Sequence, residues 1–258
     1  MSEKPVAFIT GASSGIGYHT AVAFAQHGYR VAGTARDVSR LADVAAQVNK
    51  TSEFLELTAD VRNDEMVRGA VEKTVAQFGR IDVLVANAGV GQRGDVIDAE
   101  WDHIETLLRT NIDGVLHSVR AVVPHMRRQQ AGHIVTVSSV TYNMILPGAA
   151  TYAASKAFVS SLARSLRMEL AAHNIHITDM IVGRTATNFD ANRLGGRRTG
   201  EGTVSTMLPE KVAMTIVNAV EKRRRTVILR PIDRLIVLMN ILAPQLIANI
   251  ARKDYKQE

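Results

Sequence analysis

The sequence predicts an α/β fold: a single domain built on a doubly wound parallel β-sheet with helices on both faces. Three features predict it. Short runs rich in β-branched residues alternate with longer stretches of helical pattern, as strands and crossover helices do in a sheet covered on both sides. A glycine-rich turn joins the first such run to the first helix. No long repeat, low-complexity tract or Pro/Gly/Ser linker divides the 258 residues, so 1–258 reads as one domain of ordinary size.

Taken in order, residues 6–10 read as a buried first strand and 18–27 as the helix behind it. A second strand follows at 30–35, with a helix over 38–49. The third strand is expected at 54–58 and its helix at 64–78, and the fourth strand at 81–86. A long helix over 101–127 has Pro124 near its end. The fifth strand is expected at 133–138, a helix at 152–172 after a loop, and the last two strands at 175–181 and 227–229. Right-handed crossovers between these elements give a Rossmann-like sheet.

Composition narrows the function. The hydrophobic fraction of 46% and charged fraction of 22% are those of a folded protein. With no cysteine, disulfides and thiolate metal sites are excluded, and no metal site is expected. The N-terminus leads straight into an apolar strand without a basic segment and apolar core, and a cytoplasmic protein is expected. A formal charge of +6 raises nucleic acid or anionic lipid as partners. The basic clusters Arg223-Arg224-Arg225 and Gly195-Gly196-Arg197-Arg198 lack interleaved aromatics, so a solvated basic surface is expected and no nucleic-acid partner.

The first strand ends in Thr10-Gly11-Ala12-Ser13-Ser14-Gly15-Ile16-Gly17, and a helix begins at once. Glycines let backbone approach a phosphate closely, and the helix N-terminus offers free N–H groups and a positive dipole end. A dinucleotide site is therefore expected over Gly11, Ser13, Ser14, Gly15, Ile16 and Gly17. The second strand closes on Thr34-Ala35-Arg36-Asp37. In such sheets an acidic residue here holds the ribose 2′-hydroxyl of NAD, and a nearby arginine accepts the 2′-phosphate of NADP. Ala35 aligns with the acidic position and Arg36 follows it, which favours NADP(H) over NAD(H). The alternative is a surface arginine, with Asp37 capping the next helix.

Ser138-Ser139 closes the fifth strand, and thirteen residues after Ser139 stands Tyr152 in Thr151-Tyr152-Ala153-Ala154-Ser155-Lys156. Tyr152 and Lys156, at i and i+4, share a helix face. A free tyrosine, with a pKa of about 10, is a poor acid–base group at neutral pH. A nearby lysine cation and the positive ring of an oxidised nicotinamide are expected to stabilise the phenolate and lower that value. The pair alone recurs by chance; beside Ser139 and downstream of a phosphate loop it becomes specific.

With these residues the sequence resembles the short-chain dehydrogenases/reductases over roughly residues 5 to 190. The marks are the loop from Thr10 to Gly17, Asp60-Val61, Asn87-Ala88-Gly89, Asn111, Ser139, Tyr152 and Lys156. The resemblance implies that Asp60 and Val61 lie against the adenine end and that Asn87, Ala88 and Gly89 support the sheet beside the cofactor. It implies that Asn111 holds a bent helix and a water linking Lys156 to solvent. Ser139 would hydrogen-bond the substrate oxygen, Tyr152 would move the proton, and Lys156 would also bind the nicotinamide ribose. Read from the residues alone, Asn111 could simply cap a kinked helix and Asn87 could be architectural. Two departures stand out. Relatives usually carry Pro-Gly after the sixth strand, with a threonine four positions beyond the proline. Here Gly183 and Thr187 fit, as contacts to the carboxamide, but Val182 replaces the proline. Tyr142 stands where relatives often have glycine, and it either lines the substrate pocket or points to solvent.

The variable segment 188–208, with Gly195, Gly196, Gly200 and Gly202, is expected to be a substrate lid or a surface loop. Segment 232–250 is strongly apolar, interrupted by Pro244 and flanked by Arg230, Arg234, Arg252 and Lys253. It suits a subunit interface or a cover over an apolar pocket, or else a peripheral contact with a membrane surface. The expected function is NADP(H)-dependent hydride transfer with a carbonyl or alcohol substrate, hydrophobic in character, such as a steroid, a retinoid or an acyl compound. A homodimer or homotetramer is expected. The alternative is a catalytically silent NADP(H)-binding regulatory protein, for which loss of Tyr152 or Lys156 would be the sign; both are retained.

Overall fold

A computed structural model describes residues 4–195 and 206–255 of the chain. Seven strands form one parallel sheet: β1 (Val6–Thr10), β2 (Arg30–Ala35), β3 (Phe54–Thr58), β4 (Val83–Ala86), β5 (Gly132–Ser139), β6 (Ile175–Val182) and β7 (Thr226–Ile228). Their spatial order is β3-β2-β1-β4-β5-β6-β7. All seven run parallel, with Ile9 of β1 level with Gly33 of β2 and Val85 of β4. Direction of progression reverses between β1 and β4, and a crevice opens there at the carboxyl ends of the strands.

The strands are apolar on both faces because both faces are covered. On one side α3 (Asp64–Phe78), α5 (Gly114–Gln129) and α6 (Ala150–Glu169) bury Phe8, Leu84, Met126 and Ile134. On the other, α1 (Gly15–Gln26), α2 (Ala42–Val48) and α7 (Pro209–Glu221) bury Ile9, Phe24, Leu41, Met180 and Ile216. Phe8 and Ile9, adjacent in β1, enter opposite cores, as a pleated strand requires.

Three expected helices differ from what forms. The first begins at Gly15 rather than residue 18, because Ser14 is extended and the glycine loop itself makes the opening turn. The second is preceded by a separate 3₁₀ turn, Val38–Leu41, which Asp37 caps by accepting from the Ser39 N–H at 3.0 Å. The continuous helix expected over 101–127 is broken: α4 (Trp101–Leu108) passes through a π-helical turn at Arg109–Asp113 before α5 begins. Pro124 lies inside α5 rather than ending it. Segment 232–250 folds into α8 (Pro231–Leu242) and α9 (Pro244–Tyr255), separated at the proline. Among the described residues no helix is long and apolar enough to cross a membrane.

Candidate active site

A cavity of about 920 Å³ occupies the crevice at the β1/β4 reversal. The glycine loop forms its floor. A Cβ at Gly17 would come within 2.1 Å of the Gly11 carbonyl oxygen, so only glycine permits this turn. Ser14 makes no side-chain cap, which leaves the first N–H groups of α1 directed at the cavity. The Asn87 amide bolts the loop to the end of β4 by donating to the carbonyls of Thr10 and Gly11 at 3.0 and 3.1 Å. Asn87 also lines the cavity itself, so its place fits both the architectural reading and the one beside the cofactor. Gly11, Ser13, Ser14, Gly15 and Ile16 line the cavity with Ala88 and Gly89, whereas Gly17 shapes the turn from behind.

At the far end Arg36, exposed at the tip of β2, lines the cavity with Arg40, Asp60, Val61 and Arg62. Arg62 grips Asp60 with two guanidinium nitrogens, the closest contact being 2.6 Å, and also through its backbone N–H. Burial opposes ionisation of Asp60, but Arg62, with Arg36 beyond it, outweighs that and holds the carboxyl below its ordinary value. Asp37 faces Ser39 rather than the cavity, so the acidic side chain nearest Arg36 in sequence is already committed to a turn.

Ser139, Tyr152 and Lys156 meet at the other end, delivered by the end of β5 and the first turns of α6. Ser139 Oγ accepts from the Thr141 N–H at 3.2 Å and stands beside the Tyr152 phenol in the cavity lining. Burial raises the Tyr152 phenol above its ordinary value, offset in part by Ser139 and by the charge of Arg193, while Asp190 raises it further. Lys156, expected to lower the phenol, is not hydrogen-bonded to it. The ammonium donates instead to the Val137 carbonyl at 2.9 Å, and Nζ stands 5.9 Å from the Tyr152 ring centroid. Burial pulls Lys156 itself down to about 8, with Asp179 opposing that fall.

Asn111 is fully buried inside the π-helical turn and does not line the cavity. Its side chain accepts from the Val90 N–H at 2.8 Å, and donates to the Val90 carbonyl at 3.0 Å and to Ser155 Oγ at 3.1 Å. It clamps the loop after β4 to α6, and that clamp is what breaks the long helix. Its oxygen and Lys156 Nζ both border Gly89, so the two residues approach one another there.

The segment after β6 closes the site. Gly183 and Thr187 line the cavity, and Thr187 packs on Gly15. Val182 leaves the backbone without a proline, but a Cβ at Gly183 would come 2.6 Å from Asp233 Oδ2. The buried Arg230–Asp233 pair, at 2.6 Å, thus backs this turn from α8. Further on, the Phe189 ring lies tilted at 55° to that of Tyr152, with centroids 5.9 Å apart, and residues 194–195 pair in parallel with 92–93. Residues 196–205 of the expected lid lie outside the described residues. Tyr142 does not line the cavity, which corrects its reading as a pocket residue. The 3₁₀ turn Val140–Asn143 carries it toward Arg164 and Asp179, and Thr141, Met144 and Leu146 line the wall instead. The sequence did not point to Arg40 and Arg62, whose proximity to the site comes from chain topology and not from any local motif. Phe189 and Arg193 fall in the segment expected as a lid and Ile236 in the one expected as an interface or pocket cover, none of the three singled out there.

The short chain dehydrogenase family profile matches residues 5–197. Dehydrogenase/reductase SDR family member 7B of Bos taurus is 31% identical over 270 residues, covering 98% of this chain and 83% of the relative. Among solved structures, a short chain dehydrogenase/reductase from Burkholderia phymatum in complex with NAD superposes with a TM-score of 0.84 at 25% identity, covering 95% of this chain and 96% of the other. An alcohol dehydrogenase from Thermococcus sibiricus, complexed with 5-hydroxy-NADP, gives 0.78 at 26% identity, covering 88% and 96%.

Proposed function

This chain belongs to the short-chain dehydrogenase/reductase family, and we propose that within it the protein is an NADP(H)-dependent oxidoreductase acting on a hydrophobic carbonyl or alcohol. The observation that carries the reading is one cavity running from a glycine loop and Arg36 to Ser139, Tyr152 and Lys156. The tight Gly11–Gly17 turn, the uncapped start of α1 and the arginines at the far end fit a phosphorylated dinucleotide. Arg36 has no hydrogen bond or ion pair among the described residues and would take the 2′-phosphate, beside Arg40 and Arg62. Similar proteins are described with NAD as well as with an NADP derivative, so the preference rests on the Ala35-Arg36 pair.

When bound, the nicotinamide cofactor supplies or accepts the hydride. The chain's own part is to orient and to move a proton. Ser139 and Tyr152, side by side in the cavity lining, present two hydroxyls to a substrate oxygen. In reduction Tyr152 gives its proton to that oxygen, and in oxidation its phenolate takes one. The raised phenol keeps its proton at neutral pH, which suits reduction. Lys156 supplies the buried positive charge against which a phenolate forms. Phe189, Leu146, Met144 and Ile236 make the substrate end apolar, which supports a hydrophobic substrate.

The test is a screen of ketones, aldehydes and alcohols followed by NADPH absorbance. Tyr152→Phe is expected to lower kcat by roughly 10²–10⁴-fold on any active substrate. Wild-type rates in that variant would overturn the assignment. Tight NADPH binding without turnover on any substrate would favour the regulatory alternative. For partners, we propose that the exposed apolar side of α8 contacts a second copy of the chain; a lipid surface is the competing occupant.

A further inference from the structure

The face of β6 that packs on α6 carries Ile175 and Ile177, and the next residue on that face is Asp179, 3% exposed. A carboxylate here is expensive, since an ion taken out of water loses its hydration unless charge and hydrogen bonds offset it. Its hydrogen-bond partners are neutral. Ser160 Oγ donates to Oδ2 at 2.7 Å, and Thr136 Oγ1 donates to Oδ1 at 3.4 Å. Among the described residues no cation pairs with it directly.

The charged and titratable groups facing Asp179 are few. From α6 come Lys156, Arg164 and Arg167; from the 3₁₀ turn comes Tyr142; and Arg225 lies at the start of β7, its carbonyl accepting the Asp179 N–H. Arg167 turns to the carbonyls of Ile177 and Arg225 at the surface. Lys156 differs from the arginines in being buried. It stands one helical turn before Ser160, on the same face of α6. Its Nζ lies on the carbonyl of Val137, the residue next to Thr136. Asp179 and Lys156 are both buried and face one another across the contact of β6 with α6, where a charge acts more strongly than it does in water.

We propose that Asp179 is a positioning residue of the active site: a buried counter-charge, fixed by Ser160 and Thr136, that keeps Lys156 an ammonium ion. This rests on the role given to Lys156 above, and it adds a residue that does not touch the cavity. Burial alone discharges a lysine, and Asp179 works against that. Without the carboxylate, Lys156 would be largely neutral near physiological pH, and the phenolate of Tyr152 would form without a cation beside it.

The experiment is an NMR titration of the lysine side chains in the full-length protein, with the Lys156 resonance identified by its loss in Lys156→Arg. In Asp179→Asn, which retains an acceptor for Ser160, the Lys156 midpoint is expected to fall by ~1 pH unit or more. In Asp179→Glu it should return toward the wild-type value. Should Asp179→Asn fail to fold, Asp179→Thr removes the charge with a residue suited to a strand, and the same fall is expected. An unchanged midpoint in a folded, charge-free variant overturns the proposal, whatever the variant does to stability. The titration needs no turnover, so Tyr152→Phe can fail its own test without deciding this one. Where turnover is found, the bend in the pH profile of alcohol oxidation that marks discharge of Lys156 should move to lower pH by the same amount in Asp179→Asn.

Discussion

At the scale of single residues, Tyr152 and Lys156 titrate in opposite senses from one cause. Burial disfavours the charged form of each, raising the phenol and drawing the amine down to about 8. The signs then set the pH dependence. Reduction uses the protonated phenol, and because its value lies above the ordinary one, kcat/KM for reduction should be flat across neutral pH. Oxidation uses the phenolate, a minor species throughout that range, so its rate should climb about tenfold per pH unit. The climb should bend near 8, where Lys156 loses its charge. Steady-state profiles in both directions check this, and an oxidation rate independent of pH would contradict it. Arg36 gives a second prediction. A charge-assisted contact to phosphate is worth roughly 1.5–3 kcal/mol, so Arg36→Ala should raise KM for NADPH about 10–100-fold and leave that for NADH nearly unchanged. Arg36 was legible in the sequence because it ends a strand whose neighbours choose the cofactor. Arg40 and Arg62 were not, since each reaches the cavity through a turn whose path a linear pattern does not encode. The i,i+4 spacing places Lys156 on the right face but does not say that its ammonium lies on the Val137 carbonyl.

At the scale of elements, the strands were legible nearly to the residue and the helices less so. Doubly buried strands write themselves as largely apolar runs, and β1 and β2 form where those runs lie; β3, at the sheet edge, is half-exposed and forms on its apolar Phe54, Leu55 and Leu57. Helix boundaries depend on tertiary partners. Residues 101–127 carry one continuous apolar periodicity, yet Asn111 opens the helix by binding both backbone groups of Val90, a residue in another element. That makes Asn111 a structural joint between α4, α5, α6 and the loop after β4, and its removal has a calculable consequence. Asn111→Leu would leave the half-buried N–H and carbonyl of Val90 without this partner, a loss of roughly 0.5–1.5 kcal/mol for each hydrogen bond. The variant should lose several degrees in Tm. It should also lose cofactor affinity, because Gly89 and Val90 line the cavity beside that joint. Thermal unfolding together with NADPH fluorescence titration reads both effects. A variant with wild-type stability would show that the joint is not what holds the break.

At the scale of the whole molecule, strand order brings together residues more than a hundred positions apart. Gly11, Tyr152 and Asp233 share one cavity because the sheet reverses at β1/β4 and α8 folds back over its mouth. Helix α8 is built inside out. Asp233 and Asn240 are 1% and 8% exposed, while Leu235, Ile241 and Leu242 are 52%, 63% and 69% exposed. The inward side serves the site: Asp233 backs Gly183, and Ile236 lines the cavity. The pocket-covering role expected for 232–250 is therefore met by that side alone. The outward apolar row continues at Leu246 of α9, with Ile145 exposed on the loop before α6. A row of this kind marks an interaction surface. If a second copy covers it, the full-length chain should sediment as a dimer or larger assembly, and Leu235→Gln with Leu242→Gln should yield monomers. Turnover should survive, since neither leucine lines the cavity. If a lipid surface covers it instead, sedimentation should be unaltered by those substitutions. The wild-type chain, and not the double variant, would then float with anionic vesicles, most strongly at low salt where its +6 charge is least screened.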